Sequence, residues 1–108
     1  MLKEKIQHDF REAIKGKREL EVSVFRMLNA AILNREKEKR YKLKEEKDTP
    51  LSDDEIIEVI ISEVKKRKEA IVEFERGGRQ DLVEREKREL EILQRYLPEQ
   101  LSEEELKK

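Results

Sequence analysis

Apolar residues along this chain recur at helical spacing. Leu2, Ile6, Phe10 and Ile14 return every four residues, with Ala13 beside them, which predicts a helix over 2–15 with one apolar stripe. Gly16 then permits a reversal. A second segment begins near Lys17, where Leu20, Val24, Phe25, Leu28, Ala31 and Ile32 form a wide apolar face as far as Leu33. Beyond Leu33 the pattern dissolves into REKEKRYKLKEEK, and Lys47 is the outer limit of this helix. The third segment has a clear start: Pro50 precedes Ser52, Asp53, Asp54 and Glu55, with Ser52 able to cap and Glu55 able to reach back in a capping box. Its stripe is Ile56, Ile60, Val64, Ile71 and Phe74, widened by Ile57, Ile61 and Val72, and it should stop at Gly77 or Gly78. A fourth helix, from about Gln80 to Leu97, carries Val83, Leu90, Leu93 and Leu97 and ends at Pro98.

No apolar/polar alternation bounded by hairpin turns occurs, so the expected fold is all-α. It is a helical bundle with a long second helix, followed by an antiparallel hairpin of helices three and four. Ser102, Glu103, Glu104 and Glu105 form a second capping box, three residues before the last residue, Lys108. Residues 1–98 therefore read as an N-terminal helical domain, and 99–108 as a linker and the start of a truncated C-terminal subdomain.

Composition changes the picture in three ways. Charged residues make up 49% of the chain, which raises the question of disorder. Yet Leu, Ile, Val and Phe account for 30 of 108 residues, well above the roughly one-fifth that marks disordered chains, and the net charge is only −1. No apolar run is long enough to span a membrane and no signal peptide opens the chain, so a cytoplasmic protein is expected. With no cysteine and a single histidine, His8, placed off the apolar stripe, neither a disulfide framework nor a metal or cofactor site is expected.

Charge is also unevenly divided. Residues 1–50 carry 14 basic and 10 acidic side chains, whereas residues 51–108 carry 12 and 17. The run from Arg35 to Lys47 holds seven basic and four acidic residues, Arg35, Lys37 and Arg40 among them, interrupted only by Tyr41 and Leu43. It reads either as a solvated helix extension or loop, or as a basic arm for nucleic acid. A second basic cluster, Lys65, Lys66, Arg67 and Lys68 with Arg76 and Arg79 near the glycine pair, could hold phosphates. Against that stand Glu63, Glu69, Glu73 and Glu75, which supply i,i+4 partners on the same helix.

Catalytic chemistry is poorly served. The hydroxyls are Ser23, Ser52, Ser62, Ser102 and Thr49, and no nucleophile elbow, phosphate-cradling glycine loop or zinc motif is present. Two charged residues do interrupt apolar stripes. Arg67 falls on the stripe of the third segment and Glu86 on that of the fourth, with Glu89 three residues further on. A hairpin through Gly77 and Gly78 would place Arg67 and Glu86 at comparable distances from the turn. The pattern reads as a buried ion pair that sets register, as a catalytic carboxylate, or as a packing coincidence with Arg67 reaching outward.

The stretch EFERGGRQDLVEREKRELEILQRYLPEQLSEEEL resembles the GatB/YqeY family, as do VFRMLNAAILN and the LSDDE helix start. The resemblance extends over nearly the whole chain. It implies a small all-helical protein similar to the tail of the B subunit of glutamine-dependent aminoacyl-tRNA amidotransferase. That tail is regarded as a tRNA-contacting appendage, and similar modules occur on some glutaminyl-tRNA synthetases. The family-level description is carbon–nitrogen ligase activity with glutamine as amido-N donor, although no residue here matches the ammonia-producing or phosphorylating sites. The implied partners are tRNA and an amidotransferase or aminoacyl-tRNA synthetase. The rival expectation is a protein–protein interaction bundle with no RNA role.

Overall fold

Helical period in every apolar stretch yields helices alone. The computed structural model describes residues 1–44 and 50–98. Its elements are α1 (Leu2–Lys15), α2 (Glu19–Leu43), α3 (Asp53–Arg76) and α4 (Gln80–Gln94), with no strand among the described residues. The second capping box and residues 99–108 lie outside the described residues. The chain divides into two compact units, one over 1–59 and one from 60 onward, and α3 passes from the first into the second.

In the first unit α1 packs on α2. The buried set is Ile6, Ala13, Val24, Phe25, Leu28, Ile32, Leu51, Ile56 and Val59. Full burial of the larger of these side chains contributes roughly 1.5–3 kcal/mol each. The stripe of α1 departs from the four-residue count. Ile14 is 49% exposed while Ala13 is fully buried. At about 3.6 residues per turn, a position eight after Ile6 has rotated off the stripe and one seven after has not. The Phe10 and Phe25 rings meet at 6.1 Å, and Gln7 donates to the Asn29 side chain at 3.1 Å.

The reversal after α1 is made one residue later than Gly16. Gly16 has an ordinary φ of −82°, and Lys17 takes the left-handed conformation at φ 55°. The Arg18 N–H donates to the Ala13 carbonyl and the Lys17 N–H to that of Ile14, so the helix closes in a Schellman motif. This is why α2 starts at Glu19 and not at Lys17. At its other end α2 stops at Leu43, with Lys44 left-handed at φ 56°.

The return to α3 is held by charge. Glu36 accepts from Lys3 Nζ at 3.0 Å and from the Leu51 N–H at 3.4 Å, while Lys39 Nζ reaches Glu55 at 2.7 Å and the Pro50 carbonyl at 3.3 Å. The capping box is formed: the Ser52 N–H donates to Glu55 at 2.9 Å, and the Glu55 N–H donates to Ser52 Oγ at 3.2 Å. Lys39 first, and then the Ser52 N–H, hold the Glu55 carboxyl down to about 2, from an ordinary value of 4.5. The stabilisation from this ionised group is therefore complete above about 4.5 and is lost as pH falls towards about 2. Ser52→Ala is expected to cost about 1 kcal/mol, and Glu55→Gln to flatten the acid limb of a stability–pH curve over that window. An acid limb identical to that of the parent protein would show that Glu55 is not ionised by these partners.

In the second unit the buried apolar side chains are Ile60, Val64, Val83, Ile92, Leu93, Tyr96 and Leu97. Of the expected stripe, Ile71, Phe74 and Leu90 are only half-buried. Ile92 and Tyr96 supply area that the sequence pattern assigned to Leu90. α4 ends at Gln94, and Tyr96 and Leu97 follow in turns back to Leu93 and Gln94. α3 ends in a second Schellman motif, with Gly78 at φ 72° and the Arg79 N–H on the Phe74 carbonyl. Of the two glycines, Gly78 is the one that needs the missing Cβ.

Candidate nucleic-acid interface

Placing the basic residues on their helices separates the two candidate clusters. Along the end of α2, Glu36 and Lys39 turn towards the contacts with Lys3, Leu51 and Glu55 described above. Helical rotation then carries Lys37, Arg40, Tyr41 and Lys44, spaced i, i+3, i+4 and i+7, onto a different face. Lys37, Arg40, Tyr41, Lys42 and Lys44 together line a shallow surface depression. Lys37, Tyr41, Lys42 and Lys44 are exposed and Arg40 is half-buried. Arg35 is exposed and pairs with Glu38 at 3.8 Å. No carboxylate among the described residues lies at ion-pair distance from Lys37, Lys42 or Lys44.

The cluster around the α3–α4 turn is arranged differently. Lys66 lies 3.1 Å from Glu63, Arg76 lies 3.4 Å from Glu73, and Arg79 lies 3.4 Å from Asp81. Arg79 also holds the Asp81 carboxyl below its usual range. Lys65 is exposed and Lys68 half-buried. A phosphate arriving at Lys66, Arg76 or Arg79 must displace a carboxylate, whereas one arriving at Lys37, Lys42 or Lys44 displaces no carboxylate of the described residues.

Arg67 belongs to neither surface. It is buried, together with Glu63 and Glu89. Arg67 Nε lies 3.5 Å from Glu89 Oε2, and its Nη1 lies 3.7 Å from Glu63 Oε1. The other oxygen of each glutamate faces an exposed cation: Lys66 at 3.1 Å from Glu63 Oε2, and Arg85 at 3.5 Å from Glu89 Oε1. A buried guanidinium thus sits between two carboxylates, each backed by a cation at the rim. The carboxylate of α4 that pairs with Arg67 is therefore one turn beyond the Glu86 expected from the stripe. The displacement follows from the turn. The left-handed residue is Gly78, and Arg67 and Glu89 each lie eleven residues from it. Glu86 is half-buried beside them. Its carboxyl is pushed up, by burial first and by Glu89 next, with Arg67 and Arg85 pulling the other way.

Among the described residues no group of His, Asp and Glu side chains could hold a metal ion, and no helix is long and apolar enough to cross a membrane. His8 is exposed on α1. No curated protein matches the sequence. The family model described as Yqey-like protein matches residues 3–108, and the chain belongs to that family.

Proposed function

We propose that this chain is a non-catalytic helical module that contacts tRNA, working beside an enzyme of tRNA-dependent amidation or aminoacylation. The observation that carries the reading is the cationic face at the end of α2, where Lys37, Lys42 and Lys44 stand in solvent with no carboxylate partner among the described residues. Membership of the Yqey-like family and the sequence resemblance to the amidotransferase tail support the setting. On this reading, carbon–nitrogen ligase activity with glutamine as amido-N donor describes the enzyme served, and the module contributes affinity and position for its RNA. The face gathers lysine charge around one shallow depression, which suits phosphates and carries no base code of its own.

A second reading, a protein-binding bundle, rests on the apolar groove where α1 meets α2, lined by Ile14, Val22 and Met27 among others. Salt separates the two. With about four phosphates neutralised, log affinity for tRNA should fall against log salt with a slope of about −3 to −4. That is about a hundredfold between roughly 50 and 200 mM salt. A slope near zero, or no tRNA binding at low salt, would remove the RNA reading and leave the apolar groove as the working surface.

A further inference from the structure

Tyr41 is 86% exposed on the last turn of α2. Lys37 precedes it by one turn, Lys44 follows it by nearly one, and both are exposed. The neighbouring carboxylate, Glu38, is engaged by Arg35 at 3.8 Å. Lys37 and Lys44 are about 10 Å apart along the helix axis, a span of about three stacked nucleotides at the usual rise. An exposed aromatic ring lying between two exposed cations is thus laid along the helix at the scale of a nucleic-acid backbone.

We infer that Tyr41 is a stacking platform for an unpaired base, so that the α2 face takes single-stranded RNA, a loop or an end, in preference to duplex. The inference rests on the RNA reading above and narrows its substrate class. In a duplex the faces of the bases are already stacked on one another, and a phenol on the side of a helix meets only sugars and phosphates. In an unpaired segment a base can turn out onto the ring while the flanking phosphates meet Lys37 and Lys44. The single ring also fits a contact indifferent to base identity, because every base offers a π face.

The chain itself supplies the reporter. It has no tryptophan and two tyrosines, and the other, Tyr96, is buried. Intrinsic tyrosine emission therefore reads Tyr41 against a constant background. The probes are a short unstructured oligouridylate and a blunt RNA duplex of equal length, titrated into the full chain. Oligouridylate is expected to quench the emission. Tyr41→Ala should weaken its binding about tenfold while changing duplex affinity less than about twofold. Tyr41→Phe should keep the affinity, and the salt slope should be the same in all three proteins. Equal weakening for both RNAs, or binding without quenching, overturns the stacking role while leaving the cationic face in place. Failure of both RNAs to bind the parent protein overturns the RNA reading and this inference with it.

Discussion

Arg67→Met is expected to cost about 3–5 kcal/mol of folding stability. The guanidinium is buried and faces Glu63 and Glu89, which are buried as well. Its removal leaves two carboxylates in low dielectric, with Glu86 beside them and the exposed rim cations Lys66 and Arg85 as compensation. A domain of this size has total stability on the order of 5–15 kcal/mol, so the variant should melt on the order of 20 °C lower. Glu89→Ala should behave in the same way, for it strands the guanidinium. Exposed Arg85 should matter much less: Arg85→Ala is expected to cost no more than about 1 kcal/mol. Replacing Arg67, Glu63 and Glu89 together by apolar or neutral residues of similar volume should restore most of the loss, because the desolvation of all three charges disappears. Urea denaturation decides the matter. A loss below about 1 kcal/mol for Arg67→Met would mean that water reaches the cluster.

Glu86 carries the opposite sign. Its carboxyl is pushed above the ordinary 4.5 by burial and by Glu89. The folded state therefore binds this proton more readily than the unfolded chain does, and the contribution of Glu86 to stability falls as pH rises through its folded-state value.

Converting Lys37 and Lys42 to glutamate and Lys44 to glutamine is expected to weaken tRNA binding by about a hundredfold at low salt. Glutamine is chosen at position 44 because Lys44 caps the α2 C-terminus, where a negative charge would oppose the helix dipole. Three neutral replacements should instead lower the salt slope by about 3. The matched control is Arg76→Gln with Arg79→Gln. Their charges are already met by Glu73 and Asp81, so affinity should stay within about twofold of the parent. Filter binding with circular dichroism on the same samples reads both outcomes. A loss below about threefold in the reversed protein, with helicity intact, would place the RNA contact elsewhere.

Most of the fold was legible because glycine, proline and a capping box mark its helix ends. Errors arose where a count of residues stood in for rotation. A four-residue repeat from Ile6 arrives at Ile14, but the helix arrives at Ala13. A count centred on the glycine pair likewise matches Arg67 with Glu86, whereas the fold brings it to Glu89. Position along a hairpin is measured from the residue that turns, and only the left-handed φ of Gly78 locates it. Glu63 was visible as an i,i+4 partner, though its burial was not. Lys39 and Glu55 could not be matched from sequence, since their meeting depends on the path of the connection from α2 to Ser52. Tyr41 looked like a gap in a charge run, because its significance lies in how exposed it is and what flanks it.

The two Schellman turns also bear on how quickly order can arise. Each reverses the chain within about three residues, at 16–18 and 77–79, so that partners such as Gln7 and Asn29, 22 residues apart, find one another across a short loop. Closing such loops costs little chain entropy, and helices joined this way belong to the topologies that fold in microseconds to milliseconds. The contact from Asp53 to the Leu2 N–H, 51 residues away, is of another kind. It can be made only after α1 and α2 have turned back on one another, which makes the anchoring of the α1 N-terminus a late event in the assembly of the first unit.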